Sequence, residues 1–180
     1  MKPTGTSSAR LAAVTVLLGA GVTIASQFVA AYVLEDPFGL AIETVTLFDK
    51  HGPFVVLASL VAIGALIWAV LAGSRQALIP VLGMGIAIVL VFLLIDLPDA
   101  GETGLFDTPG AGNLDATGVG AAGLWLEMVG GLVVILGSIS LMTLDSKTIA
   151  SIRPGRNERR RKRRKPRVNP PATGRTGGSR

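Results

Sequence analysis

Four long apolar runs with almost no charge inside them constrain the fold of this chain more than any other feature. They cover residues 11–34, 54–72, 77–96 and 119–144. A helix needs about 20 apolar residues to cross the hydrocarbon core of a bilayer. Overall hydrophobic content is 49%, which is ordinary for a soluble protein, so the clustering carries the argument. The sequence predicts an all-α integral membrane protein, an antiparallel bundle of four transmembrane helices.

The connecting segments complete the predicted organisation. In chain order we expect a cytoplasmic N-terminus at 1–10, an outer loop at 35–53, an inner turn at 73–76, a second outer loop at 97–118 and a disordered tail at 145–180. Within the first outer loop Phe38, Ile42 and Val45 recur at helical spacing, which predicts a short amphipathic segment lying in the interface. The second outer loop is acidic and rich in glycine.

The outer end of the first run leaves two outcomes open. Val29-Ala30-Ala31 could serve as a signal-peptidase site, and cleavage there would remove the run. The apolar core is longer than that of an ordinary signal peptide, which favours an uncleaved signal anchor. Neither outcome changes the predicted orientation of the other three runs.

Charged residues are distributed unevenly between the two sides of the predicted bundle. Lys2, Arg10, Arg75 and the tail lie on one side. On the other side Lys50 is the only basic residue. Because lysine and arginine accumulate on the cytoplasmic side, both termini are predicted to lie inside. The bias towards alanine, glycine and arginine suggests a bacterium, so the predicted location is the bacterial inner (plasma) membrane, with several passes.

The fourth run is patterned as well as apolar. Gly123, Gly130 and Gly137 recur every seven residues, so at about 100° per residue they lie on or beside one stripe of a helix. The first run carries its own stripe of small and polar residues, which includes Gly19 and Ser26. Small residues let membrane helices approach closely. These five positions are therefore predicted to form helix–helix contacts.

Glu127 is the only ionisable residue of the fourth run, and it lies beside the glycine stripe. A charge within a span is costly and usually faces the bundle, where it often serves a function. One hypothesis is a proton or cation site near the outer mouth that uses Glu127 with Asp96. Lys50 and His51, the basic side chains predicted outside, would be its partners. The other hypothesis is a structural carboxylate, or one that water reaches at the interface.

The tail contains seven consecutive basic residues. They are Arg159, Arg160, Arg161, Lys162, Arg163, Arg164 and Lys165. Such a segment cannot bury a core and is predicted to be disordered. It could simply fix the orientation, or bind anionic lipid head groups, or bind an acidic protein. Nucleic acid is not favoured, because no aromatic stacking residues accompany the basic run.

Reaction chemistry is not apparent in the sequence. The chain has no cysteine and a single histidine, so thiol catalysis is excluded and a histidine-based metal cluster is disfavoured. Residues 118–123 match G-x-G-x-x-G by letter, but that motif requires a preceding strand in a βαβ unit, which is not predicted here. We therefore expect no enzyme activity, no metal and no cofactor.

The layout resembles small four-span bacterial membrane proteins, including the tryptophan-associated membrane protein group. The shared features are the acidic outer loop and the Gly-x-Trp-Leu start of the last helix, here Gly123-Leu124-Trp125-Leu126. The resemblance implies no reaction. Two functions remain as expectations. The first is a non-enzymatic scaffold or accessory subunit that contacts a protein partner, or a second copy, and anionic lipid. The second is a small oligomeric transporter or a conductor of ions or protons.

Overall fold

The computed structural model of the chain describes residues 5–108 and 112–152. Its elements are, in chain order, α1 (Gly5–Ser26), β1 (Ala30–Glu35), β2 (Ala41–Thr46), α2 (Leu47–His51), α3 (Phe54–Ala72), a 3-10 turn (Gln76–Leu78), α4 (Ile79–Val91), a π-helical segment (Phe92–Asp96), α5 (Leu97–Asp99), β3 (Thr103–Thr108), β4 (Gly112–Gly120), α6 (Ala122–Met142) and α7 (Ser146–Ala150).

Four of the helical stretches are long and apolar enough to cross a membrane. They are α1, α3, the continuous stretch Gln76–Asp99 that contains α4, and α6. Their lengths, 22, 19, 24 and 21 residues, are close to the span of a bilayer core. The prediction of four such helices is confirmed, and the described part of the chain is compatible with a multi-pass membrane protein.

Each of the four spans packs against two of the others. The helix α6 contacts α1 and α4, and α3 contacts α4 and α1. The side chains between them are mostly small or aliphatic, and large apolar residues such as Trp68 and Leu136 are exposed on the outer faces. In a membrane those faces suit lipid, so the exposed apolar surface has a physical explanation.

The contact between α1 and α6 is close because glycines line it. A Cβ atom on Gly130 would lie 2.8 Å from the Thr23 backbone nitrogen and 2.9 Å from the Gly19 carbonyl oxygen. A Cβ atom on Gly137 would lie 3.0 Å from the backbone nitrogen of Val16. The two backbones approach each other along this seam, and no larger side chain fits between them without a shift.

A small antiparallel sheet corrects the all-α prediction. Its strand order is β2-β1-β4-β3, and the pairing of β1 with β4 sets Val33 opposite Val119. Strands β1 and β2 come from the first outer loop and its approach, while β3 and β4 come from the second. The sheet forms because backbone amide groups outside the helices still need hydrogen-bond partners, and the two loops supply them to each other.

The bounds of several predicted segments were also wrong, because some residues predicted as helix belong to the sheet. The first helix starts at Gly5 and ends at Ser26, and residues 30–34, predicted as helix, belong to strand β1. The amphipathic helical segment through Ile42 and Val45 was also wrong, because these residues form strand β2. The chain turns between Gln27 and Val29, where three backbone amides bond to carbonyls three residues earlier.

The outer loop predicted at 97–118 was wrong in part, because most of it lies in β3 and β4. In the tail, the prediction of disorder from residue 145 was wrong for α7, which is helical. Ile149 of α7 is fully buried against the inner end of the bundle. The remainder of the tail, 153–180, lies outside the described residues.

Candidate functional site

Five polar side chains meet where the spans join the sheet. We call them the outer cluster: Tyr32, Lys50, His51, Asp96 and Glu127. They come from β1, α2, the π-helical segment and α6. Asp96 and Glu127 are fully buried, and Tyr32 is nearly so. Ionisable groups are rarely buried unless they are paired, so the contacts within this cluster decide what it can do.

Asp96 is the centre of the cluster. Its Oδ1 lies 2.6 Å from His51 Nε2, accepts a hydrogen bond of 3.2 Å from Lys50 Nζ and lies 3.3 Å from the Tyr32 hydroxyl. The Tyr32 hydroxyl also donates to the backbone carbonyl of Asp96 over 2.8 Å. Asp96 is the last residue of the π-helical segment, a backbone irregularity that is often found at functional sites.

The short helix α2 delivers both basic side chains. It begins with a capping box in which Thr46 Oγ1 accepts from the Asp49 amide at 3.2 Å, and the Asp49 carboxylate accepts from the Thr46 amide at 3.3 Å. The Phe48 amide donates to the carbonyl of Gln27, which ties α2 to the end of α1. A capped and anchored helix therefore holds Lys50 and His51 beside Asp96.

Lys50 links the buried cluster to the surface. Its ammonium bonds to the carboxylates of both Asp96 and Asp99, and it lies 5.0 Å from the centre of the Tyr32 ring. Burial raises the pKa of the Tyr32 hydroxyl, and the neighbouring Asp96 carboxylate raises it further. Tyr32 therefore stays protonated and acts as a hydrogen-bond donor across the ordinary pH range.

Glu127 differs from Asp96 because no donor reaches it. Neither of its carboxylate oxygens has a hydrogen-bond partner among the described residues, and the same holds for Asp96 Oδ2. The helix α6, which carries Glu127, packs against the π-helical segment, which carries Asp96, and both carboxyls are buried there. An ionised carboxylate only accepts hydrogen bonds, so a bond between these two groups requires one proton.

Two neutral side chains near the outer ends of the spans are also unsatisfied. Gln27 Oε1 and Ser59 Oγ are buried without a partner among the described residues. Two other buried hydroxyls, those of Thr23 and Ser138, bond instead to carbonyls of their own helices, over 3.0 and 2.7 Å. The buried polar atoms that lack a hydrogen-bond partner therefore lie towards one end of the spans. They belong to α3, to α6, to the residue after α1 and to the end of the third span.

A cavity of about 190 Å³ opens beside the cluster. Its walls come from β1, β2 and the segment between α5 and β4, and its charged members are Lys50, Asp99 and Glu102. Tyr32 also lines it, so two members of the outer cluster, Tyr32 and Lys50, border this cavity.

The structure brings together Glu127, Asp96, Lys50 and His51, the four ionisable residues singled out from the sequence. It places Gly19, Gly123, Gly130 and Gly137 between α1 and α6, and the Ser26 carbonyl lies 3.0 Å from where a Cβ of Gly123 would be. The basic residues 159–165 lie outside the described part of the chain, so lipid binding there stays a prediction.

Sequence reasoning missed the roles of Tyr32 and Asp99. Tyr32 is the only tyrosine of the chain, and a lone polar aromatic within an apolar stretch was an available signal. Asp99 was read as one acidic residue among many in a solvated loop. Only the fold shows that it shares Lys50 with Asp96.

Comparisons with protein families, with characterised proteins and with solved structures give no match. The resemblance to the tryptophan-associated group therefore stays a prediction. Within residues 5–108 and 112–152, no three histidine or acidic side chains are grouped so that they could hold a metal ion. The function must be argued from the geometry of the outer cluster and the sheet.

Proposed function

We propose that this chain is a non-enzymatic scaffold or accessory subunit of a bacterial inner membrane, crossing it as an antiparallel four-helix bundle with both termini inside. The observation that carries the proposal is the sheet built on the outer ends of the spans. Its order leaves β2 and β3 each with one edge that pairs with no described strand. Such edges are templates for pairing with another chain, so the sheet suits contact with a protein partner.

The hairpin between β1 and β2 adds an apolar tip to this surface. Phe38 is 88% exposed and Leu40 is 66% exposed. The Asp36 carboxylate accepts hydrogen bonds from the amides of both residues, at 2.9 and 2.8 Å, which fixes the turn. Exposed apolar groups held on a rigid turn favour docking, because little conformational entropy is lost when a partner covers them.

The interior of the bundle supports a structural role over conduction. Towards its inner end the core consists of alanine, valine, leucine and isoleucine side chains, among them Val16, Leu66, Val81 and Leu141. Ser138 lies in this region, and its hydroxyl is satisfied by its own helix. A route for ions would need polar groups or water along its length, whereas apolar side chains form the buried core in this part of the described bundle.

The basic run 159–165 completes the proposal. Juxtamembrane basic residues contribute about 1 kcal/mol each to binding of an anionic membrane surface. We propose that this run binds anionic lipid head groups at the inner leaflet, or an acidic segment of the partner.

Native mass spectrometry of the intact protein, released gently from its own membrane, tests the scaffold proposal. We expect a heteromeric mass that is lost in Phe38→Ser/Leu40→Ser and kept in Val119→Ser, a matched change on the central strand β4. Deletion of residues 153–180 should remove retained anionic lipid. A lone monomer, or a complex unchanged by both alterations, would contradict the proposal.

Proton or cation transfer is the second candidate, and the buried pair Asp96 and Glu127 is the observation that favours it. Carboxyl pairs inside spans mark ion and proton pathways in many membrane proteins. If the chain conducts, Glu127→Gln should abolish a proton-dependent or cation-dependent flux in liposomes, whereas Asp115→Asn should not. A flux that is equal in the wild type and in Glu127→Gln would reject this candidate.

A further inference from the structure

We propose that Asp96 and Glu127 bind one proton between them, so that the outer cluster is a proton-binding site. This inference goes beyond the scaffold proposal. It deepens the second candidate, but it does not depend on flux, since a proton can be bound without being transferred across the membrane.

The buried carboxyl oxygens of Asp96 and Glu127 lack hydrogen-bond donors. Asp96 Oδ2 and both oxygens of Glu127 are buried and have no donor among the described residues. With both groups ionised, three buried acceptors would be left without a donor among the described residues. One proton converts one of these oxygens into a donor and makes a hydrogen bond between the two carboxyls.

The arrangement of donors places that bond on a particular side of Asp96. The side chains of Tyr32, Lys50 and His51 all approach Oδ1. Oδ2 is therefore the oxygen left for Glu127. The proton is held between Oδ2 of Asp96 and one carboxyl oxygen of Glu127.

Both charged and neutral side chains surround the pair of carboxyls. The helix α2 contributes Lys50 and His51, α5 contributes Asp99, and β1 contributes the neutral Tyr32. The buried polar side chains of α1, of the residue after it and of α3 are all neutral: Thr23, Ser26, Gln27 and Ser59.

One bound proton lowers the negative charge of the buried pair. With Asp96 and Glu127 both ionised, two buried negative charges lie beside the Lys50 ammonium, and one shared proton leaves the pair with a charge equal and opposite to that of Lys50. Asp99 is partly exposed, with 42% of its side chain accessible, so solvent screens its charge.

The proton exchanges with the outer side. The cavity beside β1 and β2 reaches Tyr32 and Lys50, both of which contact Asp96. On the inner side the pair is followed by the apolar core that contains Ala20 and Ala62.

Infrared spectroscopy of the full chain in phosphatidylcholine vesicles tests the site. At neutral pH we expect the carbonyl stretch of a protonated carboxylic acid, shifted to lower frequency in heavy water. Glu127→Gln and Asp96→Asn should each remove this band completely, because the partner carboxyl then ionises and accepts from the new amide. Asp115→Asn, on an exposed side chain that does not line the cavity, should leave the band unchanged.

Three outcomes would overturn the inference: no acid band in the wild type, a band that survives in both variants, or a band that disappears when sodium is added at constant pH. The last would assign the site to a metal cation. Circular dichroism establishes that each variant is folded, and both amides are close in size to the acids they replace. The infrared measurement needs no partner protein. The proton-binding inference can therefore be rejected while the scaffold proposal stands, and the scaffold proposal can be rejected while the inference stands.

Discussion

A single aspartate connects four elements at the outer end of this molecule. Asp96 lies on the π-helical segment and receives contacts from Tyr32 of β1 and from Lys50 and His51 of α2, while Glu127 of α6 faces it. Removing one member of a buried ionic group leaves the others without compensation. The outer cluster therefore acts as one unit in which each side chain depends on the others.

Tyr32 can be followed by itself, because it is the only tyrosine in the chain. Burial and the Asp96 charge raise its pKa, so tyrosinate absorbance of the folded protein should appear only well above pH 10, near which tyrosine titrates in an unfolded chain. The protonated Tyr32 hydroxyl stabilises the folded state. Its contribution to the free energy of unfolding is complete below about pH 10, and it is lost as pH rises from there through the pKa of Tyr32 in the folded protein.

An alkaline titration monitored by ultraviolet absorbance checks this prediction, with the chain in denaturant as the reference. Asp96→Asn should bring the titration of the folded protein closer to that reference, because the Asp96 charge, one of the causes of the raised pKa, is removed. A folded protein that titrates together with the denatured chain would show that Tyr32 is not buried beside Asp96.

At the scale of residues, scarcity was the useful signal. Glu127 stood out because it is the only charge in its run, and Lys50 and His51 because they are the basic side chains available outside. The side-chain carbonyl oxygen of Gln27 is buried without a hydrogen-bond partner among the described residues. The orientation of a side chain depends on the fold around it, which the sequence does not display.

At the scale of elements, the seam between α1 and α6 is the tightest contact that the glycine geometry reveals. Gly130→Ala should destabilise the protein by about 1–3 kcal/mol, a usual cost for overpacking, because its Cβ would meet the backbone of α1. Gly64→Ala is the matched control. Nothing lies within 4 Å of its Cβ position, so its effect should stay within about 1 kcal/mol.

Thermal unfolding in detergent, or in lipid nanodiscs, measures both changes. Equal melting temperatures for Gly130→Ala and Gly64→Ala would mean that α1 and α6 are not in close contact.

The strands were harder to predict than the helices. Residues 30–34 continue the apolar run of the first span without interruption, so hydropathy alone extends the helix through them. Helix termination depends on where backbone groups find partners. Strand β1 finds them on β2 and on β4, and the pairing of Val33 with Val119 on β4 joins residues about 85 positions apart. Local patterns carry no information about pairing at that distance.

A disulfide between adjacent strands tests the sheet. The chain has no cysteine, so Val33→Cys/Val119→Cys introduces one pair at directly opposed positions. Opposed residues of an antiparallel pair lie about 5 Å apart, within the range that a disulfide needs. We expect ready oxidation to an internal disulfide, seen as a shift in mobility on a non-reducing gel.

Val33→Cys/Asp115→Cys provides the control for register. Asp115 lies four residues before Val119 on β4, about 13 Å away along the strand. Faster oxidation of this second pair would contradict the register, and oxidation of neither would contradict the sheet.

At the scale of the whole molecule, polar and apolar groups divide the bundle into two ends. The outer cluster, its cavity and the sheet occupy one end, and the described inner end is closed by α7 and by the contact of Arg75 with the Leu144 carbonyl and the Asp145 side chain. The four spans could be predicted because hydropathy is a local property. The sheet and its union with the spans depend on contacts between distant segments, which composition does not report.

The orientation of the molecule is a prediction that labelling can decide. Asp115→Cys and Ser146→Cys each place one thiol at an exposed position, on the sheet and beyond α6. Because basic residues predict the inner side, a maleimide that cannot cross membranes should label Asp115→Cys in intact cells and Ser146→Cys only after permeabilisation. The reverse pattern would place the sheet in the cytoplasm.

The pairing of α1 with α6 also has a consequence for biosynthesis. The first and the last span, α1 and α6, contact each other along the glycine-lined seam. Strands β1 and β4, which adjoin these helices in the chain, also pair with each other. A ribosome that has released only the first three spans has therefore made a chain in which α1 lacks its partner helix and Asp96 lacks Glu127. Folding of this protein is completed only when its last span enters the bilayer, so the early spans must wait in the membrane, or with an insertion factor, until synthesis has passed Met142.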